Sequence, residues 1–413
     1  MLVVVGCGLP DPFAPQDDSP TWYGKIGPLV GKNCGVCHQD NNIAPFALTT
    51  YDQVKTMSGA IRAAVQSKRM PPFPPDQSAE SGCPKIDDSR VMADADRQAL
   101  IDWIDAEMPE GKKRDLPEVK PDKPMGDPGH SWQMSAEYTS KATTADDYRC
   151  FFIDPKVVWP IPVAAVSVEP GNRQIVHHAA VFLIPPDQID AVKKLDDADD
   201  GEGYDCFGGP GIAPAYPAGL WVPGNDAPLK PPYDGVGYYL PIGWAWVLQV
   251  HYNFATAHGS DRSKVTLWEA PWVTMVPHAL VAGSTTFSIP PMTTGFVTSG
   301  DSSFIKQGDT PAADGSNAAE GRIYSVWAHE HLLGKSMQLD LVHPDGSKQC
   351  LLHINGWDFH WQSIYRLHDY VVAKPGDTLR ATCTYDNMQD HAVGYGENTS
   401  DEMCFGSVGL IDK

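Results

Sequence analysis

Five histidines and one methionine in this chain have the types and spacing to hold a redox metal: His177-His178, His251, His329-x-His331 and Met403. Neutral imidazole nitrogen combined with a soft thioether sulfur suits copper, Cu(I) above all, better than zinc or calcium. A second redox signal lies near the N-terminus, where Cys34-Gly-Val-Cys37-His38 spells CxxCH. In that pattern two thiols form thioethers with a haem and the histidine becomes its axial ligand.

The elements that must position these groups read as strands. In IYSVWAHEHLLG, His329 and His331 are two residues apart, so on an extended backbone both rings leave one face and close on one metal. WVLQVHYNF is rich in β-branched and aromatic residues, and there Gln249 and His251 share a face. Adjacent strand residues point to opposite sides, so His177 and His178 in RQIVHHAAVFLI join one metal only at a strand end or a bulge. Met403 lies where a polar loop runs into a strand that starts near Cys404. Taken singly, HH or HxH in a chain with 14 His is unremarkable.

Taken in order, HH, QVHY, HxH and DEMC resemble the copper type II monooxygenases, the family of peptidylglycine α-hydroxylating monooxygenase and dopamine β-monooxygenase. The resemblance runs from about Tyr148 to the C-terminus and includes DDYRC, GWAWVLQVHYN, PGDTLRATCTYDN and TSDEMC. It implies two jelly-roll β-sandwich domains, one copper each, facing a solvent-filled cleft. His177, His178 and His251 would hold an electron-donating copper. His329, His331 and Met403 would hold the copper at which O2 is activated. It also implies disulfides Cys150–Cys206 and Cys383–Cys404, and a place for Gln249 near the route between the coppers; a hydrogen-bonded strand glutamine is the plainer reading of that residue.

Around CxxCH the pattern is helical. Val54, Met57, Ile61, Ala64 and Val65 form one apolar stripe, and a second amphipathic stretch covers about Asp94 to Met108. The first helix should stop before Met70-Pro71-Pro72. Helix, CxxCH, a loop with a methionine and a terminal helix give the layout of a small class I cytochrome c, with Met70 as the axial ligand and Met57 as its competitor. Half of a zinc site also fits CxxCH, but no fourth ligand occurs before Cys83.

Composition fits an exported, β-rich redox protein. Lys plus Arg number 31 against 52 Asp plus Glu, a net charge of −21 that argues against nucleic acid and anionic membranes as partners. Leu2 to Cys7 resembles the end of a bacterial lipoprotein signal, with Cys7 as the lipidated residue. Haem c attachment and disulfides both point to the periplasm or cell surface. Of nine Cys, Cys83 and Cys350 then remain, and a bond between them across the cytochrome–monooxygenase boundary is one option.

The expected fold class is multidomain: a small all-α cytochrome c domain followed by two all-β jelly-roll sandwich domains. The expected boundaries are a lipoprotein-like tether over 1–20, a cytochrome domain over 21–112, a Pro-rich linker over 113–134, and copper domains over 135–272 and 273–413. Thr298 to Gly321 reads as an exposed loop or insertion. His360, His368 and the remaining histidines have no defensible ligand spacing.

The expected activity is hydroxylation of a C–H bond of a small organic substrate with O2, the two coppers being reloaded through the fused haem by a periplasmic electron donor. Peptide-amidating members of the family have an Arg two residues before HxH, where this chain has Trp327. They also have Asn and Tyr where it has Phe405 and Ser407. Losing the Arg removes a bidentate carboxylate clamp, which argues against a peptidylglycine substrate. Two other readings stay open: a cytochrome-linked electron-transfer or copper-binding lipoprotein, and an oxidase that reduces O2 or peroxide.

Overall fold

A computed structural model describes residues 18–40, 42, 44–87, 90–117, 125–144, 146–206, 208–222, 228, 234–254, 257–304, 320–359 and 361–412. Cys7 and most of the expected tether, 118–124 of the expected linker, 305–319 of the expected polar loop, and His360 lie outside the described residues.

The chain divides into two compact units: Met1–Phe73 with Arg90–Lys120, and Pro74–Ser89 with Pro121–Lys413. In the first, Thr50 and Gln53 form a reciprocal capping box that starts the helix Tyr51–Thr56. The expected single helix breaks at Met57 (φ −94°, ψ 7°) and resumes as Ser58–Gln66. Val54, Ile61 and Val65 of the stripe are buried against Trp22, Ile26, Leu100 and Trp103, with Met57 packed alongside. The last helix spans Asp94–Asp105.

The expected fold class needs correction. Among the described residues there are five α-helices and 21 β-strands, and no separate all-α cytochrome domain spans 21–112. The physical reason lies in the middle of that stretch. Pro71, Pro72, Pro74 and Pro75 prevent helix, and residues from Pro74 onward pair with strands of the other unit instead, through bridges Pro75↔Ile354 and Ile86↔Leu367. Cys83 is disulfide-bonded to Cys350, and both belong to the second unit. Nor is the β part free of helix. Ile189–Ala198 places Val192 in a small core with Cys150, Ile184, Tyr204, Cys206 and Val247.

The second unit is built from antiparallel sheets packed in pairs. A five-stranded sheet runs in the order Tyr204–Asp205, Asp146–Ile153, Ala245–Asn253, Val176–Ile184, Tyr216–Trp221. It faces a four-stranded sheet of His130–Gln133, Lys264–Glu269, Ile161–Glu169 and Tyr238–Leu240. Alternate residues from both, among them Phe151, Ala179, Val181, Leu248, Val163, Val168, Val265 and Leu267, form the core between them.

The C-terminal half repeats this plan. One sheet is His278–Ser284, Cys404–Asp412, Gly321–His329 and Tyr365–Ala373; the other is Thr293–Ser303, Thr378–Asn387, Gly334–Val342 and Lys348–Ile354. The sheets approach closely at Gly406, where a Cβ would sit 2.5 Å from Leu339 and 3.0 Å from Met337. Residues 298–303, expected in a loop, extend a strand that pairs with Thr378–Cys383.

Arg149 of the DDYRC stretch grips the turn after the Ile189–Ala198 helix. Its two terminal nitrogens donate to Asp199 at 2.9 and 3.0 Å, and one also to the Gly203 carbonyl at 2.6 Å. The Arg149 hydrogen bond outweighs burial and pulls the Asp199 carboxyl down to about 2. A depressed carboxylate stabilises the fold above its unfolded value near 3.8 and loses that contribution as pH falls through its folded value. Asp199→Asn should therefore lower stability by about 2 kcal/mol at neutral pH, with the difference from the parent closing between about pH 4 and pH 2. Urea unfolding of both proteins across that range checks this.

Candidate metal centres

The sequence places His177 and His178 back to back on a strand, and the fold brings them together by a register shift. The pairing of Val176–Ile184 with Ala245–Asn253 slips between Val176 and His178, so His177 occupies a bulge while His178 pairs directly with His251. Three Nδ1 atoms then converge: His177 to His251 at 3.2 Å, His177 to His178 at 3.3 Å, His178 to His251 at 3.4 Å.

This triangle fits a metal. His251 Nε2 lies 2.9 Å from Asp146 Oδ1, which fixes the ring proton there and leaves a lone pair on Nδ1. Nitrogens at these separations sit about 1.9 Å from their common centre, a metal–imidazole bond length. Lone pairs facing one another so closely call for a cation between them. Asp146 also accepts from Asn253 and Thr399. Burial opposes its charge, but the His251 hydrogen bond and the other donors prevail and hold it below the usual carboxylate range. Tyr148 stacks on His251 with centroids 4.1 Å apart.

The second set forms where two neighbouring strands end. Gly321–His329 pairs with Cys404–Asp412 in a register that sets His329 opposite Phe405. Residues 331 and 403 each lie two positions beyond that pair, on the same face by the strand period. His329 is the last strand residue and His331 lies in the following turn, their rings 5.1 Å apart and nearly perpendicular. His331 Nδ1 donates to the Asp401 carbonyl (3.0 Å) and His329 Nδ1 to Gln362 Oε1 (2.6 Å). Both rings thus keep Nε2 as the free lone pair. Burial, reinforced by His331, lowers His329 to about 3; burial also lowers His331 and His178. All three are neutral at pH 7, the form that ligates metal.

Two carboxylates behind this set were not singled out from sequence. Glu402 is fully buried and accepts from the backbone N–H of His331 (2.9 Å), Leu333 (2.6 Å) and Met403 (3.3 Å). Burial raises its carboxyl to about 7 despite those donors. Glu330, between the two histidines, is fully buried, and neither of its oxygens makes a well-formed hydrogen bond; the Thr384 backbone gives only a weak contribution that favours its charge. Burial, then repulsion from Glu402, raises it well above an ordinary glutamate. Strand alternation marks Glu330 as inward-facing, and that was the available signal.

Tyr385 donates to the Met403 carbonyl at 2.6 Å, and the disulfide Cys383–Cys404 braces the residue next to it. Cys150–Cys206 is also formed. Gln249 donates to the Cys206 carbonyl at 2.8 Å, as a strand glutamine does. Trp327 stacks on His329 with centroids 5.2 Å apart, and its indole nitrogen is buried without a partner.

In the first unit Cys34 and Cys37 are not disulfide-bonded; Arg90 reaches Cys37 Sγ at 3.7 Å, and burial raises Cys34 to about 12. His38 Nδ1 bonds the Phe46 carbonyl at 2.9 Å, leaving Nε2 available as a ligand atom. The neighbouring Gln39 amide nitrogen is buried with no partner. Met70 is half-buried, and Arg97 reaches its carbonyl (3.5 Å) and that of Val65 (2.6 Å).

Residues 284–408 match the family described as copper type II ascorbate-dependent monooxygenase, C-terminal domain. Among relatives, the chain is 26% identical to mouse DBH-like monooxygenase protein 1 over 251 residues, 57% of this chain and 39% of that protein. It is 26% identical to human dopamine beta-hydroxylase over 259 residues, 58% of this chain and 39% of that one. To tyramine beta-hydroxylase of Caenorhabditis briggsae it is 24% identical, covering 57% and 40%. The chain thus spans about two-fifths of the length of these relatives. The copper named in that family description suits the imidazole and thioether donors assembled here, and the comparisons support the copper type II ascorbate-dependent monooxygenase family for this chain.

Proposed function

We propose that this protein is a dicopper monooxygenase that hydroxylates a C–H bond of a small organic substrate with O2. The observation that carries the proposal is the convergence of three Nδ1 atoms at 3.2–3.4 Å, in a chain whose HxH and Met403 lie at the ends of two paired strands. His177, His178 and His251 would hold one copper; His329, His331 and Met403 would hold the other. When bound, copper supplies one-electron redox chemistry and O2 activation, and a thioether ligand favours Cu(I). Hydroxylation needs two electrons beyond those of the C–H bond, one from each metal.

The chain's own residues prepare this chemistry. Asp146, Asp401 and Gln362 fix the tautomers of His251, His331 and His329, so each ligand nitrogen is deprotonated before metal arrives. Trp327 and Phe405 lie on the His329 face of the sheet, and exposed Val281 pairs with Ser407 on the same strip. These residues offer apolar and aromatic contact with no cationic clamp, so the substrate class is a small apolar or aromatic molecule rather than a peptide carboxylate.

We also assign covalent haem c to Cys34, Cys37 and His38, with Met70 as the sixth ligand. Two cysteines outside any disulfide, and the His38 ring held by Phe46 with Nε2 available, support this. The haem would relay single electrons from a periplasmic donor. Three disulfides agree with the oxidising compartment that haem attachment requires, the periplasm or cell surface, with lipid anchoring at Cys7.

The test is copper and haem content of protein expressed in the periplasm, with EPR and O2 uptake. Two type II coppers, one low-spin haem, and O2 uptake coupled to a hydroxylated product are expected. One copper or none sinks the monooxygenase reading. Uptake without organic product would make the protein an oxidase.

A further inference from the structure

The family resemblance implies histidine clusters that face each other across solvent. In this structure one side chain touches both. The Phe359 ring stacks on His177 (centroids 4.6 Å apart, planes 21° apart) and meets His331 edge-on (5.8 Å, 85°). Phe359 is itself buried, at 7% exposure. Its carbonyl accepts from the Gln362 amide nitrogen at 2.8 Å, and the oxygen of that amide orients His329 at 2.6 Å. Gln362 therefore holds one histidine by its side-chain amide, and Phe359 touches two by one aromatic ring.

We propose that Phe359 is a positioning residue: its ring is the spacer that fixes how His177 of one histidine cluster stands relative to His331 of the other. Two contacts independent of that ring draw the same surfaces together. Thr399 Oγ1 donates to Asp146 at 3.0 Å, and Tyr148 Oη to the Glu397 carbonyl at 3.0 Å. Both tie the strand beneath His251 to the loop that leads into Met403.

The ring's geometry explains why an aromatic stands here. An edge-to-face contact on one side and a stack on the other let one flat group satisfy two imidazoles at once. A leucine fills the volume but offers neither contact. Aromatic pairs of this kind contribute beyond their buried area, so the spacer favours the adjoining arrangement over one opened to solvent.

The test has a metal-free arm and a copper arm, both on the full chain. With ring-labelled Phe and His, the apo protein should show nuclear Overhauser contacts from the Phe359 ring to His177 and His331. Their absence in folded apo protein overturns the proposal whatever the metal content. The copper arm rests on the dicopper reading. In oxidised protein loaded with Cu(II), the dipolar coupling between the two Cu(II) spins, read by pulsed EPR, should be the same in Phe359→Tyr as in the parent and change in Phe359→Leu, with two coppers bound in each. Coupling unchanged in Phe359→Leu also overturns it. Apo contacts present with fewer than two coppers bound support the spacer and sink the dicopper assignment.

Discussion

Met403→Ala should abolish substrate hydroxylation while one copper stays bound at His177, His178 and His251. Three features hold Met403 in place from outside its side chain. Tyr385 bonds its carbonyl, Glu402 accepts its N–H, and Cys404 beside it is locked to Cys383. Truncation to Ala leaves that scaffold intact and removes only the thioether, so the loss is chemical rather than structural. Without sulfur the His329–His331 pair keeps two nitrogen donors and loses its preference for Cu(I). Removing even an outer partner of a metal ligand costs up to about 100-fold, so loss of a ligand should cost at least that. Turnover at saturating substrate, with copper counted per chain, checks the expectation. Retained turnover would remove Met403 from the site.

Glu402→Ala should be the most destabilising substitution near either cluster, and Glu330→Met should shift stability the other way. Glu402 satisfies three backbone N–H groups around the turn that presents His331 and Met403. A buried donor left unmet costs about 1–3 kcal/mol, so the loss should exceed about 3 kcal/mol and should scatter both ligands. Glu402→Gln keeps one accepting oxygen and should fall between the parent and Ala. Glu330 has no such partners, and an apolar side chain of similar shape should stabilise by about 1–3 kcal/mol.

Both carboxyls are raised by burial, so both make stability decline as pH rises, and the variants apportion that decline. The fold holds Glu330 protonated, whereas in the unfolded chain it ionises above about 4.5. Its contribution is therefore complete below that value and declines as pH rises toward the folded value. Glu330→Met should remove Glu330's share and leave the part that Glu402 contributes between about 4.5 and 7. Urea midpoints of parent and variants between pH 4 and pH 8, about the range where the slope lies, would reveal an unchanged slope if Glu330 has been misread.

The candidate donors were legible in the sequence as residue types, because a redox metal takes particular donor atoms and a strand has a fixed period. His329-x-His331 share a face by that period, and the back-to-back pair needed a bulge, which the slip at His177 supplies. The apolar stripe through Val54, Ile61 and Val65 was legible for the same reason. Periodicity describes one element at a time, however, and says nothing about which partner a segment chooses. Pro74–Ser89 lies amid helical sequence yet pairs with strands far along the chain, so the expected all-α domain does not form.

Long-range proximity also decided the rest of the site. Nothing near Phe359, Gln362 or Glu402 in sequence marks them as partners of histidines up to 182 residues away. The sequence alone determined which side chains carry the donor atoms a redox metal takes. Only the tertiary structure decided which nitrogen each histidine presents, how its proton is held, and that one aromatic ring contacts both His177 and His331. Those features arise from packing and hydrogen bonds between distant strands, and no local spacing encodes them.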